Sequence, residues 1–154
     1  MILPILFAFA ASTAPSPADT AHCTAAAAFL RGTQGMTAEV ETDTFDDWRT
    51  RKHVPGCRIT AAGASDLTLR NEAIRLYDRL RTAGWVRTPE PSDSPNEASL
   101  RFRMSQSDCL FHVNTEAMLG TDAEGRVNDL VKVAPGTKRY QVFVMCMPAM
   151  PAAK

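Results

Sequence analysis

The sequence lacks an excess of charge of either sign, because 17 lysine and arginine side chains balance 17 aspartate and glutamate side chains. Overall charge therefore gives no reason to expect attraction to nucleic acid or to an anionic membrane surface, and no nucleic-acid-binding motif is present. We expect no nucleic-acid partner. What the sequence does have is 154 residues, 45% of them hydrophobic and 22% charged, which suits one domain with a sizeable core.

The sequence also lacks motifs that would identify a catalytic, cofactor or metal site. No Cys-x-x-Cys pair occurs, so the four isolated cysteines would make a poor zinc site. Glycine-rich phosphate loops are absent, and the "GAS" at 63–65 does not continue into the Gly-x-Ser-x-Gly turn of a serine nucleophile. His22, His53 and His112 lie in three different segments without metal-ligand spacing. We therefore predict no catalytic residue, no metal and no cofactor.

The apolar run over residues 2–11, "ILPILFAFAA", is shorter than the roughly 20 residues that a membrane-spanning helix needs. Residues 1–18 carry no charged side chain, and small residues and prolines follow the run. This pattern is typical of a secretory signal peptide, here over residues 1–18 with cleavage after Ala18. The mature chain, residues 19–154, would then be secreted or periplasmic without a stable membrane anchor. A buried N-terminal helix and an uncleaved anchor are the alternatives.

The four cysteines are Cys23, Cys57, Cys109 and Cys146. Their number is even and the predicted compartment is oxidising, so we expect two disulfides rather than a metal site. Three pairings are possible, and sequence order favours Cys23 with Cys57 and Cys109 with Cys146. Each bridge would close a loop of about 35 residues, which is worth roughly 3–4 kcal/mol in loop-closure entropy.

Helical patterns occur in three segments. Residues 22–32 are rich in alanine, and residues 44–53 place acidic side chains first and basic ones last, as the helix dipole favours. The strongest pattern covers residues 67–83, where apolar side chains recur at helical spacing. Asp66 is the predicted cap of that helix and Gly84 its predicted stop. The arginines of this segment fall mostly off the apolar stripe, which predicts a solvated helix surface.

Alternating patterns predict strands at 57–62 and 139–147. The second of these is apolar on both sides towards its end, as in a central strand that is covered on both faces. Prolines and turn formers at 87–98 predict an exposed loop. Residues 115–138 are expected to be rich in loops, with a small ribbon about Glu124, and a flexible tail is expected from about residue 148.

The segments 99–104 and 109–114 also alternate, and the turn-forming residues "SQSD" lie between them. Pairing Phe102 with Phe111 would also oppose Leu100 with Val113 and Met104 with Cys109, so that all three apolar pairs share one face. The complete prediction is an α+β domain with the element order α-α-β-α-β-β-β. Its antiparallel sheet has about four strands, backed by one main amphipathic helix, with N-terminal helices and two disulfides.

The stretch "SDCLFHVNT" places Cys109 and His112 three residues apart on the second hairpin strand. An odd spacing in a regular strand directs the two side chains to opposite faces, so they are not expected to form a thiolate–imidazole pair. The outward face would carry a polar row of Arg101, Arg103 and His112, which is our candidate contact surface. An ordinary solvated sheet face is the alternative.

Three functional hypotheses follow from the sequence. The first is an exported, non-enzymatic module that acts by binding or in envelope structure, with unknown partners. The second is a hydrolase or other small enzyme whose site is assembled from loops around residues 122–129. The third is a thiol redox protein, which requires two cysteines within reach and one exposed thiolate.

Overall fold

The computed structural model of the chain describes residues 20–47, 50–88 and 99–150. The predicted signal peptide, most of the predicted 87–98 loop and residues 151–154 lie outside the described residues. Among the helices of the described ranges, none combines the length and apolarity that crossing a bilayer would require.

Within the described residues, an antiparallel sheet of six strands organises the fold, in the spatial order β1-β2-β6-β5-β4-β3. The prediction of an α+β fold with an antiparallel sheet is confirmed, but the expected number of strands was too small. The last strand of the chain lies in the middle of the sheet, as its two apolar sides predicted. The strands are β1 (Thr37–Asp47), β2 (Lys52–Ser65), β3 (Val86–Arg87), β4 (Ser99–Met104), β5 (Ser107–Asn114) and β6 (Lys138–Pro148).

In the part of the chain that the structure describes, three helical segments accompany the sheet. The first contains α1 (Thr24–Ala28), which lies between a 3₁₀ turn at Ala21–Cys23 and a π-helical turn at Phe29–Thr33, close to the predicted 22–32. The strongest prediction is confirmed as α2 (Leu69–Thr82). Its cap is Thr68 rather than Asp66, because the Thr68 hydroxyl accepts a hydrogen bond from the Asn71 N–H. Gly84 ends the helix with a φ of +90°, as expected of a glycine stop.

The predicted helix at 44–53 is wrong, since its first residues belong to β1 and its last residues begin β2. The two strands pair antiparallel from Thr37 with Ala62 to Asp47 with Lys52. The carbonyl of Asp47 accepts hydrogen bonds from the N–H groups of Thr50 and Arg51, which closes the turn. The order of acidic before basic side chains therefore reflects two strand ends joined by a turn, and not a helix dipole.

The predicted ribbon about Glu124 is also wrong, because residues 122–130 form α3 (Asp122–Leu130). A capping box starts this helix: the Thr121 hydroxyl accepts from the Glu124 N–H, and the Glu124 carboxylate accepts from the Thr121 N–H. Ala123 and Val127 are fully buried on its inner side. Two buried apolar residues give too weak a helical period to be recognised in a sequence.

The hairpin of β4 and β5 is confirmed, but its register differs from the prediction by two residues. Phe102 lies opposite Cys109 and not Phe111, because the turn contains only residues 105 and 106. Ser105 makes this tight turn possible with a φ of +54°. A shift of two residues keeps every side chain on its predicted face. Cys109 and His112 accordingly point to opposite faces of the sheet.

Helices α1 and α2 cover the first face of the sheet, which contains the row Ile59, Val144 and Phe111. This face holds the main core, and Trp85 packs edge-on against Phe111 with 5.4 Å between ring centroids. Helix α3 packs on part of the opposite face, which we call the second face; it contains the row Thr60, Phe143 and His112. The side-chain amide of Gln141 donates to Asn128 of α3 there, over 3.3 Å.

Residues after β6 remain attached to the sheet further than predicted. The Ala149 N–H donates to the carbonyl of Gln106, and the Met150 N–H donates to the carboxylate of Asp108. The tail expected from about residue 148 therefore has defined contacts through residue 150.

Candidate functional site

All four cysteines lie in one place beneath the N-terminal segment. Cys57, Cys146 and Cys109 form a row across β2, β6 and β5, and Cys23 reaches this row from the 3₁₀ turn. Bridges join Cys23 to Cys57 and Cys109 to Cys146, so the predicted pairing is confirmed and no cysteine is free. Each of the four is 0% exposed. An exposed reactive thiol, which the redox hypothesis needs, is therefore missing from the folded, oxidised chain.

The predicted contact row of Arg101, Arg103 and His112 does lie on one face, but it is not an exposed row. Arg101 is only 4% exposed, so the expectation that it faces solvent is wrong. Arg103 pairs with the buried Asp108, and the ring of His112 bonds to Ser99. The role of these three residues as a contact surface stays a prediction, although each is engaged within the fold.

The three histidines are not brought together. His22 bonds through Nδ1 to the Ser107 hydroxyl over 2.8 Å, and His53 contacts Asp46 near the turn between β1 and β2. Burial lowers the pKa of His112, which favours its neutral form near pH 7. Within the described ranges, no group of three or more histidine, cysteine, aspartate or glutamate side chains is placed to hold a metal ion.

The residues around 122–129, where the second hypothesis expected a site built from loops, are helical. They form α3, and Glu124 is 3% exposed. Its carboxylate accepts hydrogen bonds from the backbone N–H groups of Met118, Leu119 and Gly120 at 2.6 to 2.8 Å. Glu124 therefore organises the turn before α3 and is not directed into a cleft.

A cleft that the sequence did not predict lies where β2 ends, α2 begins and β6 begins. Its volume is about 300 Å³. Ser65 and Glu72 contribute from the β2–α2 side, Tyr140 from β6, and Thr115 from the end of β5. Lys138 and Arg139 also line it, and both are exposed. The cleft thus combines a buried floor with a charged rim.

The floor of the cleft is built around a buried carboxylate. Glu72 is 1% exposed, and both of its oxygens lie 2.6 Å from Nη2 of Arg75 one helical turn later. The same nitrogen donates to the Ser65 hydroxyl over 3.4 Å. Tyr140, which is 5% exposed, lies close enough to Glu72 and Arg75 for both to influence its pKa. Pairing with Arg75 compensates the cost of burying the Glu72 carboxylate.

The pKa values of Tyr140 and Arg75 at the floor are both shifted away from neutrality. Burial, followed by the negative charge of Glu72, raises the pKa of Tyr140 to about 12, with Arg75 opposing the shift. Burial alone would lower the pKa of Arg75, but hydrogen bonding to Glu72 and its charge raise that pKa overall. At pH 7 the phenol is therefore protonated and the guanidinium is charged.

We expect the stability of the protein to fall in alkaline solution because of its two tyrosines. The pKa of Tyr140 is about 12 in the folded chain, and burial also raises the pKa of Tyr77. A phenol whose pKa is higher in the folded chain than in the unfolded chain stabilises the fold fully when the pH is below its unfolded-state pKa of about 10. This stabilisation is lost as the pH rises through the folded-state pKa. For Tyr140 this amounts to at most about 3 kcal/mol.

A spectrophotometric tyrosinate titration checks this expectation directly, since the chain contains only two tyrosines. Neither should ionise before the fold begins to open. The Tyr140→Phe variant should lose a large part of the pH dependence above about pH 10. Two phenols that titrate near pH 10 in the folded protein would contradict the burial of both rings.

Sequence reasoning missed this cleft because its parts come from distant segments. Arg75 was expected on a solvated helix surface, whereas it binds Glu72 beside a ring from β6. An acid and a base three residues apart on a helix were the only local signal. Comparisons of the chain with protein-family models, with curated proteins and with solved structures find no match. Function therefore has to be inferred from the residues of the chain itself.

Proposed function

We propose that this chain is an exported, disulfide-stabilised binding protein without catalytic activity, and that it holds a small carboxylate-bearing solute in the cleft between α2 and β6. Export is supported by the signal-like pattern over residues 1–18 and by two buried disulfides, which are consistent with an oxidising compartment. The observation that carries the binding proposal is that Arg75 holds both oxygens of the buried Glu72 carboxylate at the cleft floor.

Groups that transfer protons in catalysis work best when their pKa lies near the operating pH. Tyr140, with its pKa of about 12, keeps its proton at neutral pH and can donate a hydrogen bond but not act as a base. Both oxygens of Glu72 are held by Arg75. The Ser65 hydroxyl accepts from the Leu67 N–H and from Arg75, and no described side chain accepts its proton. This arrangement suits recognition of a ligand better than hydrolysis.

The charges around the cleft favour an anionic ligand. The negative charge of Glu72 and the positive charge of Arg75 offset each other at the floor. At the rim, the cations Lys138 and Arg139 outnumber the single carboxylate of Asp66. A cleft of about 300 Å³ is at the lower end of the range for small-molecule sites, so the ligand must be small. A compact carboxylate that the rim cations can reach satisfies both conditions.

Titration of the purified protein with succinate tests this proposal, with the uncharged analogue succinamide as the matched control. Succinate should shift the backbone amide resonances of Leu69, Thr115 and Tyr140, and succinamide should shift them far less. The Lys138→Gln variant should weaken succinate binding severalfold, because a rim charge is lost. The Lys132→Gln variant removes another exposed lysine that does not line the cleft, and it should bind like the unmodified protein.

Two results would count against the proposed function. One is an absence of succinate-induced shifts at the cleft amides. The other is an equal effect of the Lys138→Gln and Lys132→Gln variants, which would indicate that binding depends on overall charge alone.

A further inference from the structure

The outer edge of β1 is the long open edge of the sheet. This strand has eleven residues and pairs with β2 on one side only. A sheet edge exposes N–H and C=O groups that can pair with another chain, so natural proteins usually block such edges. The edge of β1 is blocked at two positions and open between them.

The two blocked positions show which backbone groups point outwards. Arg31 donates from Nη2 to the Ala38 carbonyl over 2.8 Å, and the Thr44 N–H donates to the Asp43 side chain over 2.8 Å. In an antiparallel strand, alternate residues direct both backbone groups to the same side. Val40 and Thr42 lie between Ala38 and Thr44 at this spacing, so their N–H and C=O groups also point outwards.

No residue of the described ranges pairs with these groups of Val40 and Thr42. The open part of the edge therefore consists of the outward backbone groups of Val40 and Thr42. It can form up to four backbone hydrogen bonds with an added strand.

A groove runs beside this open part, between β1 and the N-terminal helical segment. Its volume is about 390 Å³, and its lining side chains are mostly small. Val40 lines it from the strand, and Thr24, Ala27 and Ala28 line it from the helix side. An added strand would direct every second side chain into this groove, where Val40, Ala27 and Ala28 offer apolar contacts.

The side of β1 that faces away from the groove is acidic. Five of the eleven β1 residues are acidic and none is basic. Glu39 and Glu41 point to the second face, where Arg126 and Arg58 offset part of their charge. A second copy of β1 would bring acidic side chains against acidic side chains, which disfavours pairing of two copies. Basic side chains on the added strand would complement this face.

From these observations we propose that the edge of β1 at Val40 and Thr42 binds an extended peptide segment of a partner protein as an additional strand. The segment alternates basic side chains, which lie beside Glu39 and Glu41, with small apolar side chains, which enter the groove at Val40. Backbone pairing supplies the affinity and the alternation supplies the specificity, as in other cases of strand addition. This surface is separate from the cleft at Tyr140, so either proposal can fail without the other.

The test uses the capped peptide Lys-Val-Lys-Val-Lys as probe and backbone amide NMR of the full chain as readout. Added peptide should shift the amide resonances of Val40 and Thr42 and slow their hydrogen exchange severalfold. The charge-reversed peptide Glu-Val-Glu-Val-Glu should not bind. A version of the lysine peptide that is N-methylated at its two valines should also not bind, because the valine N–H groups are the donors that would pair with the edge of β1.

Two variants of the protein complete the test. Thr42→Pro removes the outward N–H, and a proline is tolerated at an edge position of this kind. It should abolish the peptide-induced shifts, whereas Thr42→Ala keeps the N–H and should bind normally. The proposal is overturned if the N-methylated peptide binds as well as its parent. It is also overturned if the Val40 and Thr42 amides are already protected without peptide, or if the chain dimerises through this edge.

Discussion

Replacing all four cysteines with alanine should leave the protein largely unfolded at room temperature. The two disulfides span 34 and 37 residues, and a loop of this length is worth roughly 3–4 kcal/mol. Their combined loss of about 6–8 kcal/mol is comparable with the total stability of about 5–15 kcal/mol of a typical domain. The loss of buried sulfur from the core adds to the effect.

Chemical denaturation gives the free energy of unfolding for the unmodified protein, for each double variant and for the quadruple variant. Cys23→Ala with Cys57→Ala, and Cys109→Ala with Cys146→Ala, should each cost a similar amount, because the two loops are of similar length. The reduced and alkylated unmodified protein should behave like the quadruple variant. A quadruple variant that unfolds cooperatively with nearly unchanged stability would refute the assignment of the cysteines as structural.

Mass spectrometry after alkylation is the control for this experiment. Before reduction, no cysteine should react, because all four are bridged and buried. After reduction and unfolding, all four should react. The same mass measurement on exported protein shows whether residues 1–18 have been removed, which tests the predicted signal peptide separately.

The elements that were predicted correctly are those whose periodicity is strong and local. The stripe of α2 continues over several turns, and Leu76 and Leu80 on it are indeed buried in the core. Strand β6 lies in the middle of the sheet, where Val142 and Val144 are buried on the first face and Phe143 and Met145 are partly buried on the second. The hairpin kept its faces even though its register was wrong, because a shift of two residues preserves the alternation in β4 and β5.

The elements that were missed depend on contacts between distant parts of the chain. Strand β1 buries little of its surface because it lies at the edge, so its charge order suggested a helix. Helix α3 exists because Glu124 caps it and because Ala123 and Val127 pack on the second face. The cleft needs Glu72 beside Tyr140, 68 positions apart in sequence, which no local pattern can indicate.

The buried pair of Asp108 and Arg103 should have the second largest effect on stability. Asp108 is 0% exposed and receives Nε and Nη2 of Arg103 at 2.6 and 2.9 Å, together with the Met150 N–H. Asp108→Asn keeps the shape of the side chain but removes its charge, which leaves the guanidinium facing a neutral amide. Breaking a buried pair costs about 3–5 kcal/mol, and because Arg103 is partly exposed we expect about 2–3 kcal/mol.

Asp78→Asn is the matched control, because Asp78 pairs with Arg81 at 2.7 Å but both side chains are more than 60% exposed. A surface pair of this kind contributes at most about 1 kcal/mol. Denaturation midpoints measured at low and high salt distinguish the two variants further: screening should abolish the small effect of Asp78→Asn and leave most of the effect of Asp108→Asn. Similar losses from both variants would mean that burial does not strengthen the Asp108 pair. The link from the β4–β5 hairpin to the end of β6 would then have to depend on backbone pairing and on the Cys109–Cys146 bridge.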